Sequence, residues 1–236
     1  MSKKTKRPPT TAAAGTGTTS TGGPTPSAGR TILDAFLADV RRCTSCYGKS
    51  EIFVPELDPL ASSRVDILVI GEQPDRELAL ASGRMGIQHP DSSAVQLAEY
   101  LAAAGLALSD VFYTTSVLCI PRDAELRAGR PSAPEVRNCG RHLQRLITML
   151  DPALLIPLGH TSVQSLQWLY PNWTELRQYI LNYDIGKMLR RGSFGVYPLL
   201  HTSPRTWATR SREAQTRDWK RIPQLLSTLR GRDGES

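Results

Sequence analysis

The sequence predicts an α/β fold, a three-layer α/β/α sandwich around a mainly parallel, four-stranded central sheet. From Val65 onward, apolar runs alternate with amphipathic stretches of helical period. The first run, Val65-Asp66-Ile67-Leu68-Val69-Ile70, is almost unbroken aliphatic sequence, as expected of a strand buried on both faces. The runs also stop abruptly, at Gly71-Glu72-Gln73-Pro74, at Gly159-His160 and at His201-Thr202-Ser203-Pro204. Glycine and proline there break the strand pattern and place the following polar residues in turns.

Residues 1–29 form a low-complexity segment of Thr, Gly, Ala, Ser and Pro behind a basic start, Lys3-Lys4-Thr5-Lys6-Arg7. Such a composition buries too little apolar surface to offset chain entropy, so it reads as a disordered tail. The folded domain is expected over 30–230, with 231–236 a flexible C-terminus. A first helix, Thr31 to Val40 with Thr31 as its cap, runs into Cys43-Thr44-Ser45-Cys46. After the Val65 strand come a helix over Ser92 to Ala104 closed by Gly105, and a strand over Val111 to Val117. A loop with Pro121, Gly129 and Pro131 leads to a helix over Pro134 to Leu150, with proline in its first turn. The third strand is Ala153 to Leu158, followed by a helix to Tyr170. A Trp/Tyr-rich region at 170–184, with Trp173, Tyr179 and Tyr183, reads more as core packing than as the source of a ring that stacks on a ligand. The fourth strand is Gly195 to Leu200, and a last helix spans Arg212 to Leu229.

The chain has 236 residues, 40% of them hydrophobic, which suits one domain with a real core. A net charge of +7 and a pI near 9.5 favour a polyanionic partner such as nucleic acid. Most individual basic residues would still be solvated surface charges. No apolar run is long enough to cross a bilayer and the start lacks a signal peptide's hydrophobic segment, so a cytoplasmic monomer with no membrane partner is expected.

In an open α/β sheet, ligands bind beyond the carboxyl ends of the strands. The predicted topology puts Glu72, Ser116, His160 and His201 after successive strands, at one edge of one sheet. Glu72 reads equally well as a carboxylate fixed to hold a water and as a cap for a following helix. His89 and His142 are weaker candidates, the latter because it lies within a helix.

The four cysteines are Cys43, Cys46, Cys119 and Cys139, the first two at C-x-x-C spacing. A shared metal centre is favoured over two disulfides, a redox dithiol or unrelated buried thiols, because a reducing cytosol disfavours disulfides. Thiolate ligands alone do not separate zinc from an iron-sulfur cluster.

These motifs, in this order, resemble the uracil-DNA glycosylase superfamily, most closely its iron-sulfur branch, often called family 4. The resemblance runs from about Thr31 to Leu229. It is carried by Cys43-x-x-Cys46, by Gly71-Glu72-Gln73-Pro74-Asp75 for the family's G-E-[AG]-P-G loop, and by Leu118-Cys119-Ile120-Pro121. Pro134-Glu135-Val136-Arg137-Asn138-Cys139 is a shortened form of its P-x-E-x-x-x-C helix start. Leu158-Gly159-His160-Thr161-Ser162 matches L-G-[RK]-x-[AS], His201-Thr202-Ser203-Pro204 matches H-P-S-P, and Lys187-Met188-Leu189-Arg190-Arg191-Gly192 is like the basic K-x-R-G element.

The resemblance implies a DNA glycosylase acting on double- or single-stranded DNA, which extrudes a nucleotide and hydrolyses its N-glycosidic bond. It assigns catalysis to Glu72 and His201, and a structural 4Fe-4S cluster, with zinc as the alternative, to Cys43, Cys46, Cys119 and Cys139. The base pocket would comprise Gly71, Gln73, Asp75, Gly86 and Ser116. His160, Ser203, Pro204, Arg205, Arg210 and Arg212 would face DNA. Departures cluster in the pocket. Gly83-Arg84-Met85-Gly86-Ile87-Gln88-His89-Pro90 lacks the family's stacking phenylalanine, Ser116 stands where an asparagine reads the pyrimidine edge, and Gln73 and Asp75 replace a small residue and a glycine. They point to a wider, more polar pocket for a modified pyrimidine, hydroxymethylated or glucosylated as in some viral genomes, and so to antiviral defence. The alternatives are a conventional uracil-DNA glycosylase in base-excision repair, a non-catalytic DNA-binding iron-sulfur protein and a zinc-dependent redox protein.

Overall fold

A computed structural model describes residues 28–57, 65–85, 92–127, 129–192 and 194–230 of the chain. The predicted tail lies outside the described residues except for Ala28 and Gly29, as do the predicted C-terminus 231–236 and the candidates Gly86 and His89.

The central sheet has strand order β3 (Val111–Thr115), β2 (Ile67–Gly71), β5 (Leu154–Pro157), β7 (Phe194–Val196) and β6 (Leu189–Arg191). All neighbours are parallel except β6, which pairs antiparallel with β7. The sheet is therefore five-stranded, one more than the sequence suggested. The extra strand is a short basic edge, Leu189-Arg190-Arg191, with no apolar run to announce it. A separate antiparallel pair, β1 (Ile52–Phe53) with β4 (Ile120–Pro121), also went unpredicted.

Side chains alternate across β2, and the alternation builds two cores. Leu68 and Ile70 face one side with Leu155 and Val196, where α1 (Ala28–Arg41), α4 (Ala133–Leu150) and α5 (His160–Leu169) cover them. Leu33, Phe36, Leu37 and Val40 supply α1's apolar stripe at helical spacing. Ile67 and Val69 face the other side with Leu154, Ile156 and Tyr197, beneath α3 (Ser92–Ala103), α8 (Arg212–Trp219) and α9 (Ile222–Arg230). Tyr100 and Trp219 stack there, centroids 5.8 Å apart.

Several predicted boundaries shift for local reasons. The first helix begins at Ala28, upstream of the Thr31 expected to cap it. The last helix is two helices, since Pro223 lacks the N–H that would continue α8 into α9. The fourth strand ends at Val196, two residues before Pro198, and the chain continues alongside β5 through the Tyr197 and Leu199 N–H groups, which donate to Leu155 and Pro157, and a bridge of Leu158 to Leu199. A short helix, α2 (Arg76–Ser82), follows β2 directly. Within 170–184, Trp173 and Tyr179 are buried, on either side of α6 (Thr174–Arg177), whereas Tyr183 in α7 (Leu181–Asp184) is exposed. Among the described residues, no helix is long and apolar enough to cross a membrane.

Leu155 is fully buried in the middle strand. Its replacement by alanine is expected to cost ~2–5 kcal/mol, read as a lower urea midpoint with an unchanged slope.

Candidate active site at the carboxyl edge of the sheet

β2 ends at Gly71, a position that admits no side chain because a Cβ there would collide with the Tyr113 hydroxyl. The next residues continue to be held by the strand beside them. Ser116 N–H donates to the Gly71 carbonyl at 2.9 Å and Val117 N–H to that of Glu72 at 3.2 Å. Glu72 is thereby fixed at the strand's carboxyl end with its side chain 19% exposed. The Thr161 hydroxyl donates to its Oε2 at 3.1 Å, and Arg130 Nε lies 3.7 Å from Oε1.

The helix-cap role open to Glu72 falls instead to Asp75, whose carboxylate accepts from the Leu78 N–H at 3.0 Å while Gly83 closes α2 in a left-handed conformation. Asp75 is thus spent on α2. Ser116 is turned inward: it is fully buried, donates to the Gly71 carbonyl at 3.1 Å and shares a 3.2 Å contact with Ser165. A hydroxyl held beneath the loop braces it and has no face toward a base. Gln73 is directed to the next loop, donating to the Gly129 carbonyl at 3.0 Å and accepting from Arg127 at 3.3 Å.

Across the edge, Gly159 takes a left-handed φ of 83° and donates its N–H to Leu199 at 2.9 Å. A Cβ at Gly159 would lie 3.7 Å from that of His201. The turn carrying Thr161, which holds Glu72, therefore also abuts His201. The Ser203 N–H donates to His201 Nδ1 at 3.2 Å. An Nδ1 that accepts leaves the ring proton on Nε2, so the imidazole is oriented as a neutral donor through that atom. Thr206 ties the turn by donating to the carbonyls of His201 and Ser203 at 3.0 and 2.8 Å. Pro204 sits in the first turn of a short 3-10 helix over Pro204–Ala208, and Arg205 is exposed.

The remaining DNA candidates divide. His160, at the start of α5, contacts Asn182 at 3.2 Å. Arg210 forms a two-pronged pair with Asp218, 2.6 and 2.8 Å, and Arg212 pairs with Glu99 at 2.6 Å. Both guanidinium groups face carboxylates of the chain itself, which weakens their claim on phosphates. His142 is buried within α4, where burial and the nearby Arg141 and Arg145 hold its pKa below the usual value.

The loop before α4 looked like a connector in the sequence, but it carries a buried polar hub. Arg127 and Glu135 side chains are 6% and 12% exposed and pair at 2.8 Å. Tyr47 donates to the same carboxylate oxygen, Ser132 donates to the other one at 2.7 Å, and Arg127 reaches Gln73. Burial works against the Glu135 charge, yet the donors from Tyr47, Ser132 and Arg127 outweigh it and hold its pKa down to about 2. Neither Thr161, Arg127 nor Arg130 was legible as a site residue in advance.

All four cysteines are free thiols. Three of the sulfurs accept hydrogen bonds: Arg141 donates to Cys43 at 3.1 Å, Asn138 to Cys46 at 3.6 Å and the Leu118 backbone to Cys139 at 3.3 Å, while the positive charge of Arg127 acts on Cys119. The thiols also sense one another's charge. Burial pushes Cys119 up to about 11 and Cys139 up to about 12. Burial raises Cys43 too, but hydrogen bonds from Ser45 and Arg141 leave it below the usual value. Among the described residues, no three Cys, His, Asp or Glu side chains close into a ligand shell. The donor chemistry fits a thiolate-ligated centre, four sulfurs of which three accept from a supporting N–H, without the side chains being drawn together.

Residues 59–223 match the model of the uracil DNA glycosylase superfamily. A type-4 uracil-DNA glycosylase of Archaeoglobus fulgidus is 24% identical over 199 residues, covering 82% of this chain and 92% of that protein.

Replacing Arg127 by Met is expected to cost ~3–5 kcal/mol, since it strands a buried carboxylate, and a double Arg127→Met, Glu135→Met variant should recover much of it. The Glu135 pair has a folded pKa below the unfolded value of roughly 4.3, so its stabilisation is complete above that pH and is lost as pH falls toward about 2. Denaturation midpoints from pH 7 to 2.5 should show that acid-side loss in the wild type and less of it in Glu135→Gln.

Proposed function

Because this chain belongs to the uracil-DNA glycosylase superfamily and is a DNA glycosylase, we propose that Glu72 and His201 hydrolyse the N-glycosidic bond of an extruded modified pyrimidine. The observation that carries this is the turn Gly159 to Thr161, which bonds Glu72 on one side and abuts His201 on the other.

The C1′–N bond breaks with its electron pair leaving on the base, and the sugar becomes cation-like. Glu72, acceptor-only when ionised, stabilises that positive charge and takes the proton of the water whose oxygen bonds to C1′. His201, with Nδ1 occupied by the Ser203 N–H, donates through Nε2 to a carbonyl oxygen of the departing anion. A donor fixed before the reaction needs no reorganisation as charge develops. Arg205 and Ser203, beyond His201, press on the phosphate backbone, a contact that positions without specifying sequence.

The modified base is supported by the pocket side of the edge. Arg130 brings a guanidinium group next to Glu72, and Ser116 faces inward where a longer side chain would read a plain pyrimidine edge. A base bearing hydroxyl or sugar groups would find donors there, and removal of such bases from viral genomes would serve antiviral defence. Uracil is the second reading, favoured by the likeness to the archaeal type-4 uracil-DNA glycosylase.

The four cysteines would hold a 4Fe-4S cluster, or a zinc ion in the alternative, bracing the loop after α1 against the start of α4. When bound, such a group supplies cross-linking of these loops and takes no part in bond cleavage. Absorption near ~400 nm with bound iron and sulfide is expected of purified protein, and should disappear in Cys139→Ser; a colourless protein carrying zinc would favour the alternative.

Duplexes bearing uracil, hydroxymethylcytosine or glucosylated hydroxymethylcytosine, incubated and then treated with alkali, should be cut at the modified bases, whereas cutting at uracil alone would establish the second reading. Under single-turnover conditions Glu72→Gln is expected to slow the reaction by about 10²–10⁴ and His201→Ala by about 10²–10³. Wild-type rates in either variant would remove that residue from the mechanism.

A further inference from the structure

We propose that Tyr183, flanked by Ile180, is a stacking platform for a nucleobase next to the extruded nucleotide, a contact that deepens the glycosylase reading and rests on it. The tyrosine is 82% exposed and Ile180 is 55% exposed. A single exposed aromatic residue is ordinary; the informative feature is how firmly this one is mounted, and where.

α7 is only four residues long, yet it is held on several sides. Leu181 is buried in a small cluster with Val163, Tyr179 and Leu200. Leu200 immediately precedes His201, and Val163 lies in the first turn of α5, so that cluster anchors α7 to the active edge of the sheet. Asn182 contacts the His160 ring at 3.2 Å, one residue before the Thr161 that holds Glu72. Asp184 accepts from the Ile180 N–H at 2.9 Å and from Lys187 at 2.6 Å, and the Tyr179 hydroxyl donates to its carbonyl. The inward positions of α7 are thus fully engaged while Tyr183 points away from the protein.

The surface next to this ring is the one that a DNA glycosylase turns to DNA. Every base has a π-face, so an aromatic ring on a rigid mount contributes affinity without reading sequence, and little rotamer freedom is lost on binding. The net charge of +7 suits the same partner. Extruding a nucleotide removes the stacking partner of its neighbours, and a ring offered beside the site replaces part of that loss.

The test measures binding of the full chain to a single-stranded 20-mer and to a duplex carrying one tetrahydrofuran abasic analogue, by anisotropy at several salt concentrations. Tyr183→Ala should bind both about tenfold more weakly, Tyr183→Phe and Tyr183→Trp within about twofold of wild type. Stacking releases no counterions, so the slope of log Kd against log salt should be unchanged in Tyr183→Ala, whereas it should fall in Arg205→Ala. Unfolding midpoints should match the wild type, as the side chain covers almost nothing. An alanine variant that binds as wild type would overturn the platform, and so would a phenylalanine variant as weak as the alanine one. A wild-type protein that binds neither probe would instead overturn the glycosylase reading on which the platform depends.

Discussion

A run of backbone bonds holds the candidate active edge together: the Tyr197 and Leu199 N–H groups donate to Leu155 and Pro157 at 2.9 and 3.0 Å, and the Gly159 N–H donates to the Leu199 carbonyl at 2.9 Å. It keeps the chain beyond β7 beside the end of β5, and Pro198 does not interrupt it, since the N–H groups that face β5 belong to Gly195, Tyr197 and Leu199. β2 and β7 flank β5, and neighbouring strands lie roughly 4.8 Å apart, so their carboxyl ends are separated by roughly 10 Å. That gap suits a sugar ring on one side and a departing base on the other. The left-handed φ at Gly159 is one that glycine adopts readily, and it lets the chain turn into α5 against His201. A carboxylate and an imidazole distant in sequence thus come to flank one short turn.

A second set of contacts fixes the Glu72 loop from the opposite side. Arg127 spans Glu135 at the start of α4, Tyr47 next to Cys46, Cys119 and, through Gln73, the residue beside Glu72. Buried ion pairs contribute little net stability against apolar replacements, and their best-attested use is to select one arrangement over its neighbours. Here the arrangement selected is the register between the cysteine-bearing loops and the Glu72 turn. The order of the cysteine region and the position of Glu72, the proposed catalytic carboxylate, are therefore coupled through one guanidinium group.

Much of this was legible in the residues. The β-branched run at 65–70, the proline-led helix from 133 and the glycine-histidine turns lie where their periodicity and turn chemistry indicated. What escaped was set by tertiary context. β6 is an edge strand with two arginines and no apolar face to speak for it. Asp75 looked like a pocket group because it sits in a catalytic-type loop, but the free N–H groups of α2 claimed it first. Ser116 turned inward because the Gly71 carbonyl was the nearer acceptor. Arg127 and Arg130 sat in a Pro/Gly-rich connector, where local pattern says nothing about burial. Trp173 and Tyr179 went to the core as expected of aromatics, leaving Tyr183 as the outlier of that stretch.

The central claim is that Glu72 faces a cation-like sugar across from His201 on one extruded nucleotide. The most direct measurement compares affinity for two duplexes that differ only at the abasic site, one with a cationic pyrrolidine sugar and one with neutral tetrahydrofuran. The wild type is expected to prefer the cation by about 10² or more, as transition-state mimics are preferred over neutral analogues. That preference should vanish in Glu72→Gln and persist in His201→Ala. Equal affinity of the wild type for the two duplexes would contradict the account.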